Sequence, residues 1–167
     1  SWMATVTPNR FGVMKQGSLV GELNDQYLIS IVVFHNRVLD QNNATLETQE
    51  RVLKVTLRGN GFGGGEVRLS SSNSDALDLK HGDWVMLSAD SLIGPQFRWY
   101  RITYVDDEVQ SYNGESFRDA TLQGPDWNRN EWININHPYY RPTHATFVPH
   151  VIGVFEKTVR METTSLY

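Results

Sequence analysis

The chain has 167 residues, 40% hydrophobic and 20% charged, the composition of one globular domain and not of a disordered tail. Its net charge of -4 comes from interspersed acids and bases, so a phosphate backbone would meet no basic face and nucleic acid is not an expected partner. With no cysteine, disulfides, thiolate zinc sites and thiol catalysis are excluded, and the longest apolar run, around Ile31–Phe34, falls far short of the roughly 20 residues that span a bilayer.

The chain opens Ser1-Trp2-Met3 without a basic or apolar leader. That abrupt start and the internal Met3 suggest a trimmed or processed piece of a longer protein, read as a single β-rich domain over residues 1–167. The hydrophobic period is two nearly throughout, and the runs are short and bounded by Gly, Asn, Asp or Pro, which predicts strands. Tyr27–Phe34 is apolar on both faces and is expected to be a central strand covered on both sides. Asn43–Glu50 is the one helical candidate, a short surface turn or a loop. Val52–Leu57 alternates Leu53, Val55 and Leu57 with polar residues, breaks at the glycine run Gly59–Gly65, and is followed by Glu66–Ser70, together a hairpin.

Three runs, Asp83–Ser88, Phe97–Val105 and Phe117–Gly124, then form an antiparallel meander. Over residues 78–124 it is expected to curl into a small SH3-like unit. Gly82 supplies a positive φ before its first strand, and Tyr112-Asn113-Gly114 signals a tight turn. Residues 126–142 form a long irregular loop rich in Asn and aromatics, of a length that is usually functional or disordered. Ala145–Glu162 gives two extended pieces around Pro149. The second sets Phe155, Val159 and Met161 on one face and Glu156, Thr158, Arg160 and Glu162 on the other, an amphipathic closing strand. The prediction is an all-β antiparallel sandwich or partly open barrel of about seven to nine strands with little helix, rolled up because a flat sheet would leave one face uncovered.

Four constellations invite chemistry. The glycine run lacks the Gly-Lys-Ser/Thr and the helix of a phosphate loop, so a hairpin tip is favoured. His137, His144 and His150 match no standard zinc spacing. Asp126, Asn128 and Asn130 alternate as in the first half of a calcium loop, although Glu131 stands where a glycine is needed and His137 where a bidentate Glu would close the site. Calcium is the one cofactor these residues suggest. Asp106, Asp107 and Glu108 share one turn and read as a solvated charged loop, not an acid/base pair. No Gly-x-Ser-x-Gly elbow exists, and the expected class is not an enzyme. The strongest binding signal is the aromatic set Trp127, Trp132, Tyr139 and Tyr140, whose faces beside Asn and Arg donors suit a sugar ring or a protein hot spot. The same rings would also serve to pin a long loop to the sheet, which is the favoured reading.

The segments Gly82–Leu87, Phe97–Ile102, Thr121–Trp127 and Val151–Arg160 together resemble the β-rich globular part of large prepilin-like proteins of planctomycete-type bacteria, a class akin to type IV pilins and minor pseudopilins. The resemblance covers most of residues 26–162 and rests on packing motifs. The N-terminal apolar helix that marks the family is missing from this chain, which would make it the head without its assembly helix. The resemblance implies a non-enzymatic structural or adhesive domain, extracytoplasmic or at the cell surface, with protein partners or self-assembly. A phage or virion tail or neck subunit is the alternative reading, and a carbohydrate-binding module with a glycan partner is a further one.

Overall fold

The computed structural model describes residues 1–8, 26–37, 45, 48–58, 64–91, 94–125 and 142–160. Among these are ten strands: β1 (Trp2–Pro8), β2 (Gln26–Phe34), β3 (Arg51–Leu57), β4 (Gly64–Ser71), β5 (Trp84–Ser91), β6 (Gly94–Val105), β7 (Gln110–Tyr112), β8 (Glu115–Gln123), β9 (His144–Phe147) and β10 (Val151–Arg160). All pairings are antiparallel. The chain is nearly all β, as its period-two pattern requires.

Six strands close a barrel in the order β4-β3-β9-β5-β6-β8, with β8 returning to pair with β4 from Gly64↔Gln123 to Ser71↔Ser116. Closure removes the sheet edges. The meander is present as β5-β6-β8, but it forms half of the barrel wall and not a curl of its own, because β9 flanks β5 and β4 flanks β8. The expected hairpin also forms, β3 against β4 with Leu57 opposite Val67. The alternating residues fill the barrel: Leu53, Val55, Val67, Leu69, Val85, Leu87, Tyr100, Ile102, Leu122 and Phe147 form one cluster.

One stretch of this core has no strand pattern. Asn73 caps a single 3-10 turn, Ser74–Leu77, by accepting from the Asp75 amide at 3.0 Å. Leu77 and Leu79 then drop into the core cluster. Two buried arginines hold this segment by its backbone. Arg51 donates to the carbonyls of Asp75 (3.2 Å) and Asp78 (2.9 Å), and its guanidinium lies 4.3 Å from the Phe147 ring centre. Arg118 donates to the carbonyls of Leu77 (2.9 Å), Leu79 (3.2 Å) and Asp106 (2.8 Å). The helical expectation at Asn43–Glu50 lies largely outside the described residues. What is described there is a Thr45–Thr48 turn, closed by Thr48 N donating to Thr45 O at 2.9 Å.

β7 pairs with β8 in the barrel's sheet, and the other three strands form a separate sheet, β1-β2-β10, packed against the outside of the barrel. Its inner face contributes Met3, Val32, Phe34, Val151 and Val154 to a second cluster around Trp99, with Trp84, Met86 and Val148 from the barrel side. Trp99, 1% exposed, also donates from Nε1 to Thr5 Oγ1 at 3.2 Å, fastening β1 to β6.

Candidate functional site

Strand register decides which side chains face the space between sheet and barrel. Trp84 on β5 lies opposite Arg101 on β6, and Arg101 lies opposite Gln123 on β8, so these three form one row across the barrel exterior. Trp99, two residues before Arg101, points the same way. On the facing sheet, Val154 pairs with Val32 and Glu156 with Ser30, which turns both toward the barrel. Where Trp99 meets Phe34, Val32 and Val148 the layers are closed. Toward Arg101 and Glu156 they part into a cleft of about 310 Å³ lined by Trp84, Trp99, Arg101, Gln123, Gly124, Pro125, Val154 and Glu156.

The cleft is polar at its mouth and aromatic at its base. Ser30 Oγ donates to Glu156 Oε1 at 3.1 Å, holding that carboxylate in place. Among the described residues no ion pair includes Arg101 or Glu156. Burial lowers the neighbouring Arg98 guanidinium below its ordinary value, with Tyr100 and Glu156 acting in the opposite sense. Gly124 is required at the rim: a Cβ there would lie 2.5 Å from Tyr100 Cδ1 and 3.1 Å from the Trp99 carbonyl.

The sheet's outer face is the second feature. Cross-strand neighbours on it are Ala4–Ile31–Phe155, Val6–Ile29–Lys157 and Trp2–Val33–Gly153, followed by Tyr27–Val159. Lys157 is its single charge among the described residues. Phe155 is 65% exposed, Trp2 71%, Val6 50% and Ile31 44%. Two expectations are corrected here. β2 is central in its sheet, but among the described residues only one of its faces is covered. The amphipathic face of β10 is also inverted: Phe155 is exposed with half-buried Val159 on the same face, while Glu156 and Thr158 look toward the barrel, Glu156 lining the open cleft.

Trp127, Trp132, Tyr139 and Tyr140, and the calcium candidates Asp126, Asn128 and Asn130, all lie outside the described residues, as does His137. Pro125, the last described residue before them, lines the cleft. His144 and His150 are exposed, His144 beside Thr143 Oγ1 at 2.9 Å and His150 in the β9–β10 turn at φ 62°. Among the described residues no group of three or more His, Asp or Glu is placed to hold a metal. Asp106 accepts through its carbonyl from Arg118, while Asp107 and Glu108 stay exposed in the turn. Arg101 and Gln123 escaped the sequence reading because each belongs to an ordinary strand. A same-face match of β5, β6 and β8 across the meander is the signal that would have found them.

No protein-family model, curated protein or solved structure matches this chain. Among the described residues no helix is long and apolar enough to cross a membrane.

Proposed function

We propose that this chain is a non-enzymatic structural or adhesive module of a pilin-like assembly outside the cytoplasm, joining other copies of itself through the outer face of the β1-β2-β10 sheet. The observation that carries the reading is that face. Exposed apolar side chains contiguous over three strands mark interaction surfaces. A face with one lysine and no acid among the described residues offers no charge pattern to select an unlike partner, but it is complementary to itself, as a two-fold interface requires. Two such faces would stack as the layers of a sandwich, about 10 Å apart. The pilin-like and extracytoplasmic parts of the proposal rest on the packing motifs of residues 26–162.

Sedimentation velocity tests the assembly. The intact chain is expected to shift from monomer to a larger species with rising concentration, and the Ile31→Lys/Phe155→Lys double variant to remain monomeric with an unchanged melting temperature. A monomer at every concentration, or equal association of the double variant, would exclude the outer face as the contact.

A further inference from the structure

We propose that the cleft between sheet and barrel binds a neutral sugar ring, the terminal one or two residues of a glycan, with Trp84 as the stacking wall and Arg101, Gln123 and Glu156 as partners of its hydroxyls. This site is separate from the outer face and independent of self-assembly.

Size sets the first bound. At about 310 Å³ the cleft lies at the lower limit of ligand sites, which run from about 300 to 1,000 Å³. It suits one or two rings better than an extended chain.

Chemistry sets the second. An indole presents a large apolar face to the C–H groups of a pyranose at little entropic cost. Guanidinium, amide and carboxylate are each planar and can engage two neighbouring hydroxyls at once through paired hydrogen bonds. Between them they supply both donors and acceptors, and a hydroxyl needs both. An anion would be attracted by Arg101 and repelled by Glu156 across the same opening. A purely apolar ligand would strip water from three polar groups without replacing their hydrogen bonds.

Preorganisation is the third argument. Trp84, Arg101 and Gln123 are aligned by strand register in a closed barrel, and Glu156 is held by Ser30. Sites built on strands keep their geometry better than sites on loops. Arg101 and Gln123 are both exposed, so they can meet a ligand without rearrangement of the fold.

The test is a titration of the full chain with methyl glycosides and short oligosaccharides of glucose, galactose, mannose and N-acetylglucosamine. Calorimetry and the indole N–H signals of a nitrogen-labelled sample serve as readouts. At least one sugar is expected to bind with an affinity insensitive to salt, shifting the Trp84 indole signal. Trp84→Ala and the double variant Arg101→Ala/Gln123→Ala should each weaken that binding by about tenfold or more. The double variant alters only exposed side chains and should keep the wild-type melting temperature, so its loss of binding reports the site and not the fold. Binding of no sugar in the panel, full binding by the double variant, or loss only in Trp127→Ala and Trp132→Ala would each overturn the assignment. So would a requirement for sulfated or sialylated glycans with steep salt dependence, which would mean that a cationic site elsewhere does the binding.

Discussion

Arg118 directs its guanidinium at backbone carbonyls and not at a carboxylate, and that choice fixes its role. The carbonyls of Leu77, Leu79 and Asp106 sit in or beside the core, where an unpaired acceptor costs about 1–3 kcal/mol. Arg118→Met keeps the apolar stem but removes its bonds to all three, leaving the Leu77 carbonyl only the Leu79 amide at 2.8 Å, and should lower the unfolding free energy by about 2–4 kcal/mol in a urea titration. Gly124 is a steric counterpart. Gly124→Ala drives a methyl into Tyr100 and should cost about 1–3 kcal/mol, read as a drop in melting temperature. Asp119 governs a pH response. Its hydrogen bond with Arg68 (2.7 Å), whose guanidinium also lies over Phe117 at 3.8 Å, holds the carboxyl below its ordinary value. A depressed folded pKa means that the stabilisation is complete above the ordinary carboxylate range and is lost as pH falls through the folded value. Asp119→Asn should therefore be slightly less stable than wild type at neutral pH and converge with it in acid. Parallel stability curves across that range would contradict this assignment.

At the scale of elements, local pairings were legible and long-range ones were not. Asn113 at φ 51° and Gly114 at φ 78° form the two-residue turn that joins Tyr112 to Glu115, because both positions need positive φ and Asn-Gly tolerates it. Gly82, at φ 95°, was equally readable. The meander followed because its strands are neighbours in sequence. Insertion of β9 between β3 and β5, and the return of β8 to β4, depend on pairings far apart in the chain that no periodicity encodes. The 3-10 turn at Ser74–Leu77 was hidden for a related reason: backbone bonds from two distant arginines hold it. β10 shows that alternation gives two faces without saying which is buried, since its apolar side chains Phe155 and Val159 point outward. The aromatic loop set and the calcium candidates lie beyond the described residues, so the cleft was found only from register. Trp99 couples the two layers. Trp99→Phe loses the bond to Thr5 while keeping most of the contact area, and should cost less than Trp99→Ala, whose cavity is worth about 3–5 kcal/mol. Hydrogen exchange should show the Ala variant speeding exchange in β1, β2 and β10 ahead of the barrel strands.

At the scale of the whole molecule, barrel and sheet divide the work. The barrel has closed its edges and filled its interior. The sheet has one face committed to Trp99 and the other still apolar, and β1 and β10 are both edges on which no other described strand pairs. Association through that outer face is the central claim. The chain has no cysteine, so a single introduced thiol reports contact without background. Ile31→Cys places it at the middle of the outer face, and His144→Cys places a control on the exposed surface of the barrel. Under mild oxidation the account predicts rapid, concentration-dependent disulfide-linked dimers of the Ile31→Cys chain and slow, random linkage of the control. Equal rates for the two variants would contradict it.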